Sequence, residues 1–219
     1  MMRTVAAVAM LTGLCACAPR YLQSSTAPDT GLYQLERILV LPVTADDEAR
    51  GADAYRSGVV AAGAEATVTD ALYGALLQET AFELADRPLV ERALADRPAP
   101  PSDLPALQAL ARSLQADALL RGVVSVYRER EGSHVGVERP AAVGIDLWLI
   151  AARDGRTLWH GRYYETQQSM TEELRTVSLY LKRGTRWLTA AELAKYAVGE
   201  LVKTLPRPHR PAEAATAAP

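Results

Sequence analysis

Cysteine, histidine and phenylalanine are scarce in this sequence. Its 219 residues include two cysteines, three histidines and one phenylalanine. Both cysteines, Cys15 and Cys17, lie close to the amino terminus, so a disulfide framework or a cysteine-ligated metal site elsewhere in the chain is excluded. The uncharged stretch from Thr4 to Leu14 holds about eleven residues, whereas a helix needs roughly 20 apolar residues to span a bilayer. A permanent transmembrane helix is therefore not expected at this terminus.

What is present at the amino terminus resembles the signal peptide and lipobox of bacterial lipoproteins. Arg3 supplies one positive charge, and the apolar stretch follows it. The segment Leu14-Cys15-Ala16-Cys17 then gives an aliphatic residue, a tolerated second position, a small residue and a cysteine. Cys15 fits the pattern poorly, because Leu14 would stand directly before the cut. An ordinary secretory signal cut elsewhere and a core helix are the alternatives.

The lipobox resemblance implies that residues 1–16 are a signal peptide and that Cys17 is lipidated and carries palmitate. Ala18, rather than an aspartate, follows the cysteine. This implies sorting to the outer membrane, with the protein facing the periplasm. Three acyl chains on one residue hold far more firmly than a single myristoyl chain, at roughly 0.8 kcal/mol per buried CH₂. The expected membrane contact is therefore the lipid on Cys17.

The composition is that of an ordinary globular protein. Hydrophobic residues make up 49% and charged residues 23%, and the formal net charge is −2. Nucleic acid is therefore not an expected partner. Proline and serine without apolar periodicity predict that residues 17–35 are a lipid anchor and flexible linker. The Pro- and Ala-rich residues 206–219 are expected to be a disordered tail. Residues 36–205 remain for a single α/β domain with one core.

Hydrophobic periodicity predicts five strands and five helices in the order β-α-β-α-α-β-β-β-α-α. Strands are indicated by short aliphatic runs or by alternation, and helices by apolar residues three and four positions apart. The predicted strands are residues 37–43, 81–85, 118–128, 141–152 and 157–166, and the predicted helices begin at Thr67, Pro88, Ser102, Thr171 and Thr189. This order predicts an α/β (α+β) domain with a mixed sheet of about five strands and helices mainly on one face.

The segment 153–156, Arg-Asp-Gly-Arg, predicts a hairpin between the last two strands. Asp-Gly suits the two positive φ angles of a type I′ turn, and a two-residue loop places Ile150 opposite Trp159. In that register Trp148, Trp159 and Tyr163 share one face of the hairpin. Large aromatic residues contribute strongly to protein interfaces, so these three are candidate partner-binding residues. The alternative is that this face packs beneath the helices, and periodicity does not decide which side is buried.

The sequence contains no recognisable catalytic, cofactor or metal site. His134, His160 and His209 are far apart, and no two of them have metal-ligand spacing. No nucleophile elbow, dinucleotide-binding glycine motif or phosphate-binding loop occurs. A glycosidase-type pair of carboxylates stays open, because its members can be distant in sequence. We therefore expect no cofactor, no metal, no small-molecule substrate and no enzyme activity.

Three phrases of the sequence are similar to a known lipoprotein domain. They are residues 37–43 (Arg-Ile-Leu-Val-Leu-Pro-Val), residues 115–124 (Gln-Ala-Asp-Ala-Leu-Leu-Arg-Gly-Val-Val) and residues 154–159 (Asp-Gly-Arg-Thr-Leu-Trp). They resemble the α/β domain shared by the curli-secretion (CsgG-like) lipoproteins, the penicillin-binding-protein activator (LpoB-like) lipoproteins and the amino-terminal domain of the Tol-Pal translocation protein. The resemblance spans residues 36–205 in the order of elements, and it transfers no catalytic residue.

Members of that group assist other machinery instead of catalysing a reaction. The resemblance therefore implies a non-enzymatic interaction module that binds an unidentified envelope protein in envelope assembly, secretion or cell-wall synthesis. A second hypothesis is a subunit of a curli-type secretion channel. Each membrane strand of such a channel needs about 9 to 11 residues of alternating character, which residues 129–139 and 44–63 do not offer. An envelope enzyme is the third hypothesis, and it lacks a recognisable site.

Overall fold

The computed structural model describes residues 21–46, 60–95, 103–133, 136–167 and 187–209. Several sequence predictions lie outside these ranges. They are the signal peptide and lipidated Cys17, the loop residue His134, the helix predicted to begin at Thr171, and the tail beyond residue 209.

The described chain forms a mixed sheet with helices. In chain order the strands are β1 (Leu22–Thr26), β2 (Arg37–Val40), β3 (Thr44–Ala45), β4 (Glu83–Leu84), β5 (Ala118–Arg128), β6 (Glu131–Gly132), β7 (Val137–Arg139), β8 (Ala142–Ala151) and β9 (Thr157–Thr166). The helices are α1 (Ala64–Glu79), α2 (Arg87–Ala95), α3 (Leu104–Ser113) and α4 (Ala190–Val202), and a 3₁₀ turn spans Thr30–Leu32. The predicted mixed sheet in an α+β domain is confirmed.

The sheet has seven strands in the order β1-β9-β8-β5-β2-β4, and β3 also pairs with β5. β8 lies between β5 and β9 and is antiparallel to both. β2 is parallel to β4 and to β5, and β3 is parallel to β5. Beyond the end of β5, β6 and β7 form a separate two-stranded ribbon. The sequence predicts neither β1 and β3 of this sheet nor β6 and β7 of the ribbon.

Helices pack against both faces of the sheet. Consecutive residues Ile38, Leu39 and Val40 of β2 are all buried, because the two faces of this strand are covered by different helices. Ile38 and Val40 belong to the cluster that includes residues of α1 and α4. Leu39 belongs to the cluster that includes residues of α2 and α3. The sequence predicts helices mainly on one face. In the structure, α1 and α4 cover one face of the sheet and α2 and α3 cover the other.

The flexible linker predicted over residues 17–35 is wrong from Leu22 onward. Leu22–Thr26 form the edge strand β1, which pairs antiparallel with β9. Four of the five residues are exposed, so the strand is held by backbone hydrogen bonds and carries no apolar alternation. Because an exposed edge strand and a flexible linker are both polar and lack apolar alternation, the sequence does not distinguish them here.

The predicted hairpin exists, but its register differs from the prediction. Asp154 has an ordinary negative φ and only Gly155 is left-handed, at φ 76°. The loop closes through Gly155 N–H donating to Ala151 O at 2.9 Å, and it is longer than a two-residue turn. A bulge then shifts the ladder, so that Leu149 pairs with Trp159 and Ile150 pairs with Thr157. A one-residue shift in register moves side chains to the opposite face.

Candidate functional site

The register separates the three candidate partner-binding residues. Trp159 and Tyr163 face the α1 and α4 side and are buried in its core, with Trp159 only 1% exposed. Trp148 lies on the other face and is half-buried. The sequence prediction that the three share one face is therefore wrong, because the bulge beside Ile150 places Trp159 opposite Leu149 instead.

Part of the sheet on the side of α2 and α3 is left accessible. The two helices pack over one end of it, around Leu119 and Ile150. Further along the strands, the same face carries six side chains that we call the open face: Arg121 of β5, Asp146 and Trp148 of β8, and His160, Arg162 and Tyr164 of β9. Three central strands therefore position the whole cluster.

The strand register fixes how these side chains meet. Trp148 lies directly between Arg121 and His160 on its two neighbouring strands. Asp146 lies opposite Arg162, in the next same-face position along β8. Directly opposite residues on one face of a sheet have Cβ atoms about 5 Å apart, which is contact distance for aromatic and charged side chains.

Asp146 is the electrostatic centre of the open face. Its side chain is 11% exposed, and one oxygen, Oδ1, accepts hydrogen bonds from Arg162 Nε at 2.7 Å and from His160 Nε2 at 2.9 Å. A carboxylate only accepts, so the hydrogen on His160 must sit on Nε2. The buried charge is compensated by donors from the adjacent strand, as a buried charge requires.

Trp148 and His160 form a flat aromatic pair. Their ring centroids lie 5.0 Å apart and their planes differ by 6°. Because His160 is held by Asp146, the stack also orients the indole of Trp148. Fixing the two rings in advance reduces the ordering cost when a partner binds against them.

The rim of the open face is exposed and polar. The Arg162 side chain is 58% exposed, Tyr164 is 54% exposed, and Arg121 is exposed as well. An aromatic centre with a rim of arginine and tyrosine is the composition that is enriched at protein interfaces. The guanidinium groups also suit carboxylates on a partner.

A second surface feature lies between α1 and α4 on the outside of the domain. It is an open groove of about 720 Å³ whose lining includes Gly74 and Gly199. At its edge, Lys203 pairs with Glu200 at 2.9 Å. The lining combines small, polar and charged residues with one aromatic residue, Tyr196, so it has no ring pair like that of the open face.

Among the described residues, no three of the histidine, cysteine, aspartate and glutamate side chains lie close enough together to hold a metal ion. In the same part of the chain, no helix combines the length and the apolar character needed to cross a bilayer.

No family model matches the sequence, and no curated protein matches it either. Solved structures do match the fold. The PelC dodecamer from Paraburkholderia phytofirmans is 14% identical, with 83% of this chain and 94% of that chain covered at a TM-score of 0.51. This chain shares the PelC fold.

Two further matches are weaker. Lipoprotein GNA1162 from Neisseria meningitidis is 18% identical, with 67% of this chain and 91% of that chain covered at a TM-score of 0.39. The LpoB C-terminal domain from Escherichia coli is 19% identical, with 60% of this chain and 83% of that chain covered at a TM-score of 0.41. At these TM-scores the two matches are likenesses only. The likeness to PelC concerns the fold alone.

Most of the open face is not recognisable from the sequence alone. The sequence gives His160 no partner at metal-ligand spacing and indicates no role for Arg162. The available signal was period-two alternation in β9, where His160, Arg162 and Tyr164 occupy every second position. That pattern indicates a polar face of β9. The register that places Asp146 and Trp148 beside it is not predictable from the pattern.

Proposed function

We propose that this protein is an outer-membrane lipoprotein that faces the periplasm and binds another envelope protein through the open face. The role is non-enzymatic, in envelope assembly, secretion or cell-wall synthesis. Lipid on Cys17 supplies the anchor, and its support is the segment Leu14-Cys15-Ala16-Cys17. The observation that carries the docking role is the ring pair of Trp148 and His160 on an accessible sheet face.

The charges of the open face favour a protein partner with acidic and apolar groups. Asp146 is already paired with Arg162 and His160, so the outward charge of the cluster comes from its arginines. Arg121 borders Trp148 in the neighbouring strand. An apolar side chain against the rings and a carboxylate near Arg121 or Arg162 satisfy both parts of the surface.

Site-specific photocrosslinking in intact cells tests this role. A photoreactive amino acid at Arg121 is compared with one at Leu77, which is 71% exposed on α1 and far from the open face. We expect a discrete crosslinked band at position 121 that disappears when Trp148→Ala is added, and no such band at position 77. Mass spectrometry then identifies the captured envelope protein. Equal crosslinking at both positions, or a band at 121 that Trp148→Ala leaves intact, contradicts the docking role.

A ring-forming subunit, as in a secretion channel, is the second candidate. One observation favours it: the fold is shared with PelC, which was crystallised as a dodecamer. In that case position 121 or position 77 crosslinks this chain to a second copy of itself. Light scattering of the purified lipidated protein in detergent then gives a mass that is a multiple of the monomer. A monomeric mass at micromolar concentration removes this candidate.

A further inference from the structure

The ordered domain begins very soon after the proposed lipid attachment site. Strand β1 starts at Leu22, and Tyr21 just before it is already fixed to the sheet. The carbonyl of Tyr21 accepts a hydrogen bond from the Tyr164 amide at 2.8 Å. The ring of Tyr21 lies 5.7 Å from the ring of Tyr163. Only residues 18–20 stand between Cys17 and this anchored tyrosine.

That spacing limits the distance between the domain and the membrane. Four residue steps separate Cys17 from Tyr21, and an extended chain covers at most about 3.6 Å per step, or roughly 14 Å in all. The acyl chains on Cys17 lie in the bilayer, so Cys17 itself is at the headgroup level. Tyr21 is therefore held within about 14 Å of the headgroups, whatever path the intervening residues take.

The direction of β1 decides which end of the sheet is close to the membrane. β1 enters beside Tyr163 and runs toward Trp159, antiparallel to β9. The chain therefore reaches β1 from the end of the sheet where β9 ends, where Thr166, Ala142 and Arg128 lie side by side across three strands. We call this the proximal end.

The proximal end also carries the β6–β7 ribbon and the start of α4. Arg130 on the chain leading into β6 donates to the carbonyl of Trp187 at 2.7 Å. Glu129 accepts from the Ala190 amide at the start of α4 at 3.1 Å. These contacts join the chain that leads from β5 into the ribbon to the segment that begins α4.

The opposite end of the sheet, the distal end, is formed by the 3₁₀ turn and the β8–β9 hairpin. Tyr33 Oη donates to Asp154 at 2.8 Å, and the Ala27 amide donates to Leu158 O at 2.8 Å. The ten residues of β9 separate the two ends by about 30 Å, at 3.3 Å per residue. A tether of roughly 14 Å at Tyr21 keeps the proximal end near the bilayer, whereas the distal end can lie up to about 30 Å farther from it.

We propose that the proximal end of the domain lies against the phospholipid headgroups, with the strands of the sheet pointing away from the membrane. This inference rests on the proposed lipid at Cys17. It places the open face sideways, toward neighbours along the membrane surface. Arg130, Arg139 and Trp187 are residue types that suit a headgroup layer. Glu131 pairs with Arg139 at 2.8 Å and Glu138 adds a further negative charge, so the tether and not charge attraction sets the orientation.

Fluorescence quenching on vesicles tests the orientation. Two variants of the lipidated protein are compared, each with one added cysteine: Gly136→Cys in the ribbon and Gly31→Cys in the 3₁₀ turn. A Cβ at either glycine meets no atom within 4 Å, and neither needs a positive φ, so both variants should fold. The lipidated Cys17 has no free thiol, so a fluorophore labels the new cysteine alone. The proteins are reconstituted in phosphatidylcholine vesicles that contain a headgroup nitroxide lipid.

We expect several-fold stronger quenching at residue 136 than at residue 31. Adding about ten Gly and Ser residues after Ala18 should bring the two values together, because the longer tether frees the domain. Equal quenching in the protein with its own tether, or stronger quenching at residue 31, overturns the orientation while leaving the anchor intact. Purified protein without lipid on Cys17 overturns both the orientation and the proposed anchoring, and mass spectrometry of the same sample separates the two outcomes.

Discussion

The indole of Trp159 occupies the space beside Gly161 that any larger residue would need. A Cβ placed on Gly161 would lie 2.4 Å from Cζ2 of Trp159 and 2.9 Å from Leu201 Cδ2 of α4. Both residues point to the α1 and α4 side of β9, two positions apart. The tryptophan therefore packs under α4 only because its neighbour on the strand has no side chain.

Gly161→Ala should lower the free energy of unfolding by about 1 to 3 kcal/mol, since the new methyl overpacks against the indole. Gly199→Ala in α4 is the matched control, because a Cβ there meets no atom within 4 Å. A glycine replaced in a helix interior should gain about 0.5 to 1 kcal/mol. Urea denaturation measures both values. A Gly161→Ala protein as stable as the Gly199→Ala protein would show that the indole does not pack as described.

The two tryptophans of the hairpin should respond differently to truncation. Trp159 is buried in the core, so Trp159→Ala should cost about 3 to 5 kcal/mol of stability. Trp148 is half-buried on the open face, so Trp148→Ala should cost about 1 kcal/mol or less. Thermal and urea unfolding give the comparison. Equal losses for the two variants would place both indoles in comparable surroundings and remove Trp148 from the open face.

The two members of the ion pair at the centre of the open face should differ in how much stability is lost when each is removed. Removing the carboxylate with Asp146→Asn leaves Arg162, which is 58% exposed and can return to water. Removing the guanidinium with Arg162→Met leaves the Asp146 carboxylate, which is only 11% exposed. Of its two donors, His160 and Arg162, it then keeps His160. An uncompensated buried charge costs more than an exposed one. Arg162→Met should therefore destabilise the protein more than Asp146→Asn, and the reverse order in urea denaturation would contradict this account.

Tyr73 should make stability fall at high pH. Burial raises the pKa of its phenol from 10.0 to about 12, and the Arg87 guanidinium, 4.9 Å from the ring centre, lowers the pKa in part. Because the folded pKa exceeds the unfolded one, this contribution is complete below pH 10 and is lost as pH rises toward 12. Tyr73→Phe should flatten that part of the stability curve. Absorbance of tyrosinate against pH locates the transition, and a Tyr73→Phe curve with an unchanged slope would contradict the assignment.

Much of the fold follows from local patterns in the sequence. The predicted strands 118–128 and 157–166 match β5 and β9, because alternation and turn residues mark both ends. The capping box of Thr189 and Glu192 begins α4 as predicted, since both of its hydrogen bonds are local. In contrast, Thr67 does not begin α1: its hydroxyl donates to Gly63 O at 3.0 Å, and the helix starts at Ala64.

The open face could not be predicted because it depends on pairing between strands. The bulge beside Ile150 inserts one residue into β9, and no propensity marks its position. Without it, the ladder that pairs Ile150 with Thr157 would continue, and Trp159 and Tyr163 would occupy the places that His160 and Tyr164 hold. Edge strand β1 was missed for a related reason: backbone pairing with β9 forms it, and its side chains are mostly exposed.

The anchoring, the docking role at the membrane and the orientation of the domain all depend on lipid at Cys17. Intact mass spectrometry of the mature amino terminus, with metabolic fatty-acid labelling, measures it directly. We predict a mature chain that begins with diacylglyceryl Cys17, and a Cys17→Ala variant that accumulates as an unlabelled precursor. A Cys17→Ala protein that still incorporates fatty acid, or a mature wild-type chain that begins at another residue, would contradict the account.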